Sequence, residues 1–190
     1  MIRQLDPASF RTVPWKNGGG TATDIAQKLG ADGEPDWRVG TAAIDCDGPF
    51  SDYAGVTRTF TVIHGAGVTL DFAGEGARPV PLDVPTVFSG APAPYCRLVD
   101  GVPATAFNLL TRDGAARGTV RILAGGGAVE ALAGADISVL FAVEGDWRVA
   151  TATGDIALPA GAGLLVEAGT GLAVSGAAGG RLAVVAIDLA

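Results

Sequence analysis

At 190 residues, 48% of them hydrophobic, the chain suits one compact unit or two small ones, with ample material for a core. A charged fraction of 17% and 29 glycines argue for many short strands and tight turns rather than surface helices, so the expected class is all-β. The net charge of -7 opposes a polyanion partner, because nucleic-acid affinity rests on clustered Lys and Arg, and a membrane-surface role is no more attractive.

In chain order, a short strand is expected at 2–5 and a second approach at 10–13. The opening Met1-Ile2-Arg3-Gln4-Leu5-Asp6-Pro7 lacks the apolar core of a signal peptide, so the expected location is cytoplasmic, with Cys46 and Cys96 reduced and partly buried. Trp15-Lys16-Asn17-Gly18-Gly19-Gly20-Thr21 follows, and lysine recurs only at Lys28. Consecutive glycines lose much conformational entropy on folding and bury no side chain. Two readings fit them: a tight loop between strands, or backbone amides crowding an oxyanion that Lys16 neutralises. A nucleotide-binding P-loop is excluded, because there the lysine follows the last glycine.

A strand at 21–28 would put Thr21, Thr23 and Ile25 on one face and Ala22, Asp24 and Ala26 on the other. Further strands are expected at 37–44, 57–64, 68–72, 86–89, 95–99, 104–112 and 119–123. The segment 45–52 is dense in turn formers, and 79–85 is a Pro-rich connection. A helical turn or two is allowed only near 114–118. The apolar run 156–174 is interrupted by Pro159, Glu167 and glycines and reads as soluble strands rather than a membrane span.

The second half repeats the first in outline. Thr61-Val62-Ile63-His64-Gly65 matches Phe141-Ala142-Val143-Glu144-Gly145 at an offset of roughly 80 residues, and later segments match in the same order. This predicts a duplicated β-barrel, a shape that removes exposed sheet edges.

Trp15-Lys16-Asn17-Gly18-Gly19-Gly20, Trp37-Arg38-Val39, Asp47-Gly48-Pro49-Phe50-Ser51, Gly55-Val56-Thr57-Arg58 and Phe107-Asn108-Leu109-Leu110-Thr111-Arg112 together resemble the successive motifs of the HutD/Ves family. The resemblance spans essentially the whole chain, with its strongest motifs in the first 112 residues. It implies a cupin-like bicupin of two β-barrel or jelly-roll domains: an N-terminal domain at 1–112 carrying the ligand pocket, and a smaller C-terminal domain at 113–190 packed on it. It further implies a bacterial small-ligand-binding, regulatory protein of histidine utilisation, with urocanate or a formylated amino acid as candidate ligand. No established catalytic activity comes with it. Two positions depart from the family pattern: Ala106, where an acidic residue usually precedes the Phe-Asn pair, and His64, where an apolar residue or Glu is common.

The residues themselves narrow the chemistry. With one His in the chain, no metal and no other cofactor is expected, since metal-binding cupins use several imidazoles. No nucleophile elbow is present, and the carboxylates form no pair that can be placed face to face, so no catalytic residue is assigned. Cys46 lies between Asp45 and Asp47, a setting that disfavours thiolate nucleophilicity. What remains is a set of cationic and amide groups on strands that otherwise look buried. Arg58 shares a face with Phe60 and Val62, Arg38 with Gly40 and Ala42, and Asn108 with Arg112.

Trp15, Lys16, Asn17, Arg38, Phe50, Arg58 and Asn108 are therefore the candidate ligand-binding residues. Arg supplies a bidentate fork, Lys a point charge, the amides orientation, and Trp15 or Phe50 an apolar wall. The expected partner is a small carboxylate, bound at the mouth of the first barrel without turnover. A metal-independent isomerase or lyase acting on the same acid is the alternative. A third reading makes the second barrel an interaction surface, for which a homodimer is one arrangement.

Overall fold

The computed structural model describes residues 1–15, 20–127, 130–132, 135–167 and 171–190. Strands dominate it, and no α-helix occurs among the described residues. The residues at 113–115 form a turn that leads directly into a strand, where a helical turn had been allowed. No helix among the described residues is long and apolar enough to cross a membrane.

In chain order the strands are β1 (Ile2–Leu5), β2 (Arg11–Pro14), β3 (Gly20–Leu29), β4 (Pro35–Ile44), β5 (Gly48–Pro49), β6 (Val56–His64) and β7 (Val68–Phe72). They continue with β8 (Gly76–Val80), β9 (Thr86–Ser89), β10 (Tyr95–Leu98), β11 (Ala104–Arg112), β12 (Ala116–Ala124) and β13 (Glu130–Leu132). The last six are β14 (Ile137–Glu144), β15 (Trp147–Thr151), β16 (Gly154–Leu158), β17 (Gly163–Glu167), β18 (Leu172–Gly176) and β19 (Arg181–Leu189). Strand β8 runs into the stretch expected to be a Pro-rich connection. It lies at a sheet edge, where Pro79 is tolerated because its missing N–H is not needed by a second neighbour.

The chain divides into two compact units, Phe10–Arg117 and Met1–Ser9 with Gly118–Ala190. The expected division at 112/113 shifts at both ends. Residues 113–117 stay with the first unit, and the N-terminus joins the second because β1 pairs antiparallel with β17, from Ile2↔Val166 to Leu5↔Gly163.

Each unit consists of two sheets, and their strand orders correspond. The first has β4-β11-β6-β9 with β2 and β3 added beside β4, and a second sheet β5-β10-β7-β8. The other has β12-β19-β14-β17 with β1 added beside β17, and a second sheet β13-β18-β15-β16. Corresponding strands are spaced by about 80 residues, so the repeat read from the sequence is a repeat of strand order.

The core of each unit lies between its sheets. In the first, Phe60, Val62, Phe88 and Ala106 of the larger sheet meet Val68, Leu70, Phe72 and Cys96 of the smaller. In the second, Leu140, Leu164, Leu182 and Val184 meet Trp147, Val149, Leu158 and Val174. The strictly alternating face expected for β3 is interrupted by a bulge between Asp24 and Ala26. Ile25 and Ala26 are both buried as a result, and the strand re-aims at that point.

Candidate functional site

The enclosed face of the larger sheet in the first unit carries the polar residues that sequence reasoning singled out. Register fixes their placement: Asn108 on β11 stands opposite Gly40 on β4 and Phe60 on β6, while Leu110 stands opposite Arg38 and Arg58. Asp24 on β3 continues the first of these rows, opposite Gly40. Asp24, Arg38, Gly40, Arg58, Asn108 and Leu110 line one cavity of about 550 Å³, together with Trp15, Phe50 and Tyr53.

Five of the seven expected binding residues, Trp15, Arg38, Phe50, Arg58 and Asn108, therefore share this cavity. Lys16 and Asn17 lie outside the described residues. On either side of them, Trp15 N–H donates to the Gly20 carbonyl at 2.9 Å, and Pro14 pairs with Thr21. Gly20 is required here, because a Cβ would collide with the carbonyl oxygen of Ala43.

Arg58 is the chemical centre of the cavity. Its side chain is 8% exposed, and its Nε–H donates to Asn108 Oδ1 at 3.0 Å. The guanidinium carbon sits 4.4 Å from the centroid of Phe50, 5.3 Å from Phe60 and 5.8 Å from Phe88. Among the described residues no carboxylate lies within ion-pairing distance of it and no acceptor takes its terminal N–H groups. Burial pushes its pKa down to about 10, with the nearby charge of Arg38 adding to the effect. The aromatic faces offset part of the desolvation through cation–π attraction, but a buried cation ordinarily needs an anion as well.

Ala106 bears on this imbalance. It is fully buried on the same face as Asn108, between Ala42 and Val62. An acidic residue there, as the family pattern leads one to expect, would add a buried carboxylate to that face. The other departure, His64, is exposed at the end of β6.

At the other side of the cavity Arg38 is partly exposed. Its Nε lies 3.7 Å from Asp24 Oδ1, and an Nη–H donates to the Tyr53 hydroxyl at 3.3 Å. The 50–53 segment that brings Phe50 and Tyr53 here is held by backbone bonds from Phe50 to Pro94 and from Tyr53 to Gly90, and by Asp52, which accepts from Ala93 N–H at 2.7 Å. Trp15 meets Phe50 edge-on at 6.3 Å.

Arg112 does not join Asn108 in the cavity. Its guanidinium grips the turn between β3 and β4, donating to both Asp32 oxygens at 2.7 and 3.0 Å and pairing with Asp36 at 3.2 Å. Asp24 and Tyr53 were not picked out from the sequence. Asp24 was assigned to the face of Ala22, but alternation within one strand does not say which residues of the neighbouring strands stand beside it. Tyr53 sits in a loop, where no periodicity points anywhere.

The two thiols differ in their surroundings. Cys96 is buried and its pKa is pushed up to about 12 by desolvation and the charge of Asp47, whereas Cys46 is exposed rather than partly buried, and both are free. Among the described residues no group of three or more His, Cys, Asp or Glu is arranged to hold a metal ion.

The HutD family model matches residues 7–184. The chain belongs to the HutD family. The structure of HutD from Pseudomonas fluorescens SBW25, determined in a formate condition, superposes over 100% of both chains with a TM-score of 0.86 and 28% identity. An uncharacterised 21.2 kDa protein of the hutC 3' region of Pseudomonas putida is 37% identical over 103 residues, 53% of either chain, so the match spans about half of that relative. Protein Ves of Escherichia fergusonii is 26% identical over 135 residues, 71% of this chain and 69% of that one. The fold is the all-β, cupin-like fold of HutD.

Proposed function

We propose that this HutD-family chain is a binding protein for a small carboxylate, held in the cavity of the first unit and serving histidine utilisation as a regulatory component. The observation that carries the reading is Arg58: a buried cation with one hydrogen bond, ringed by aromatic faces and without a carboxylate among the described residues. A carboxylate ligand supplies the missing countercharge and accepts two parallel N–H bonds from the guanidinium fork, which raises the Arg58 pKa back toward its ordinary range. Phe50 and Trp15 suit a flat apolar body. The setting in histidine utilisation rests on family membership and on the hutC-region relative, and it makes urocanate and formylated amino acids the first ligands to try.

The test is calorimetric titration of these acids into wild type, Lys16→Ala and Arg58→Ala, with circular dichroism confirming the fold. Removing a buried partner of a charge pair costs roughly 2–5 kcal/mol of binding, so Arg58→Ala is expected to lose on the order of 100-fold in affinity. Binding that is unchanged in both folded variants overturns the reading.

A further inference from the structure

The row Asp24, Gly40, Asn108 crosses three adjacent strands on the cavity side of the sheet. Two strand spacings put Asp24 and Asn108 about 10 Å apart at the backbone. The position between them carries no side chain and has room for none, since a Cβ on Gly40 would lie 2.5 Å from the Thr23 carbonyl oxygen. The bare stretch is therefore imposed by the backbone. It is bordered by the Arg58–Asn108 pair on one side and the Asp24 carboxylate on the other, and all of them line the same cavity.

Asp24 is only loosely engaged. Its Oδ1 is 3.7 Å from Arg38 Nε, beyond hydrogen-bonding distance, and an Nη–H of Arg38 is directed instead to the Tyr53 hydroxyl. A carboxylate keeps about four lone-pair sites, so Asp24 has acceptor capacity to spare.

We infer that the cavity reads its ligand at two ends: Arg58 takes a carboxylate, and Asp24, across Gly40, accepts a hydrogen bond from an N–H group at the far end of the same small planar acid. This rests on the carboxylate reading above and adds the class of ligand, an acid that carries an N–H donor rather than a plain one. A site that pairs with an N–H disfavours an analogue that lacks it, because the analogue displaces water from the half-buried Asp24 carboxylate without replacing its hydrogen bond.

Two acids of matched shape test it. Urocanate carries an imidazole N–H, and 3-(2-furyl)acrylate replaces that ring with a furan that has no donor. Titration calorimetry with wild type is expected to give at least about tenfold tighter binding of urocanate. In Asp24→Ala the two affinities are expected to fall within about twofold of each other, through loss of urocanate affinity alone. Equal affinities in wild type, which need no variant to fold, overturn the two-ended inference, as does a preference that survives Asp24→Ala. In either case the carboxylate reading stands as long as Arg58→Ala removes binding. Failure of wild type to bind either acid overturns the two-ended inference, and it overturns the carboxylate reading as well if formylated amino acids also fail to bind.

Discussion

On the enclosed face of the first unit, Phe60 pairs across β6 and β11 with Asn108, and Arg58 with Leu110. At the matching places in the second unit, Leu140 pairs across β14 and β19 with Val184, and Ser138 with Ala186. Strand order is the same in both. The second unit therefore carries an aliphatic Val184 where the first keeps an amide, and a small Ser138 where the first keeps an arginine. Packed aliphatic groups stabilise through burial and close contact. A buried arginine with one hydrogen bond among the described residues does the reverse, and the proposed ligand accounts for its retention. Duplication lets one copy supply stability while the other bears the cost of a site.

The largest effect expected from this contrast comes from the filled unit. Leu140 is fully buried, and Leu140→Ala is predicted to lower unfolding free energy by about 2–5 kcal/mol in denaturant titration, leaving ligand affinity in the first unit unaltered. Arg58→Met is predicted to behave oppositely: ligand binding is lost, while unfolding free energy stays within about 1 kcal/mol of wild type or rises, because a desolvated charge has been replaced by an apolar chain. If Arg58→Met destabilises as much as Leu140→Ala, Arg58 is a structural residue and the contrast between the units fails.

A smaller effect is expected at Gly40, where the first unit's cavity depends on an absent side chain. Gly40→Ala forces β3 and β4 apart, since the new methyl would meet the Thr23 carbonyl at 2.5 Å. The predicted loss is about 1–3 kcal/mol of stability, accompanied by weaker ligand binding because the floor between Asp24 and Asn108 is no longer flat. Chemical denaturation and calorimetry on the same variant check both. Loss of stability with full binding would show that Gly40 serves strand packing alone.

Much of this architecture was legible before any coordinates, and the residues explain which parts. Alternation over 57–64 and 104–112 placed Arg58 with Phe60 and Val62 and put Asn108 opposite Phe107, because the two strands keep one register from Arg58 to Val62 and from Ala106 to Leu110, and the shift between Thr105 and Ala106 falls beyond these residues. The repeat at about 80 residues was visible because each strand recurs in order. Asp24 lies on the face counted for it, with Ala22 and opposite Gly40, and it escaped notice because alternation within one strand does not say which residues of the neighbouring strands stand beside it. Arg112 shared a face with Asn108 by counting, yet it lies at the end of β11, where the carboxylates of the β3–β4 turn outcompete the cavity for its guanidinium. Charge pairing between segments 80 residues apart leaves no periodic trace.

Arg112 is the counterpart of Arg58 within the first unit, a cation fully supplied with partners, and it yields the smallest predicted effect. Its hydrogen bonds hold the Asp32 carboxyl down from 3.8 to about 2. A carboxyl whose folded pKa is depressed contributes stability that is fully present above its unfolded pKa and is lost as pH falls through the folded value. The contribution is therefore complete above about pH 4 and fades toward pH 2. Because Asp32 is exposed, the pair is screened and its share is modest. Melting temperatures measured between pH 5 and pH 2 are expected to fall more steeply for wild type than for Asp32→Asn, with the curves converging at the acid end and the variant lower at pH 5. Parallel curves would mean that the turn is held by the bonds from Arg112 to the Pro35 and Glu34 carbonyls and by Asp36, and that Asp32 adds nothing of its own.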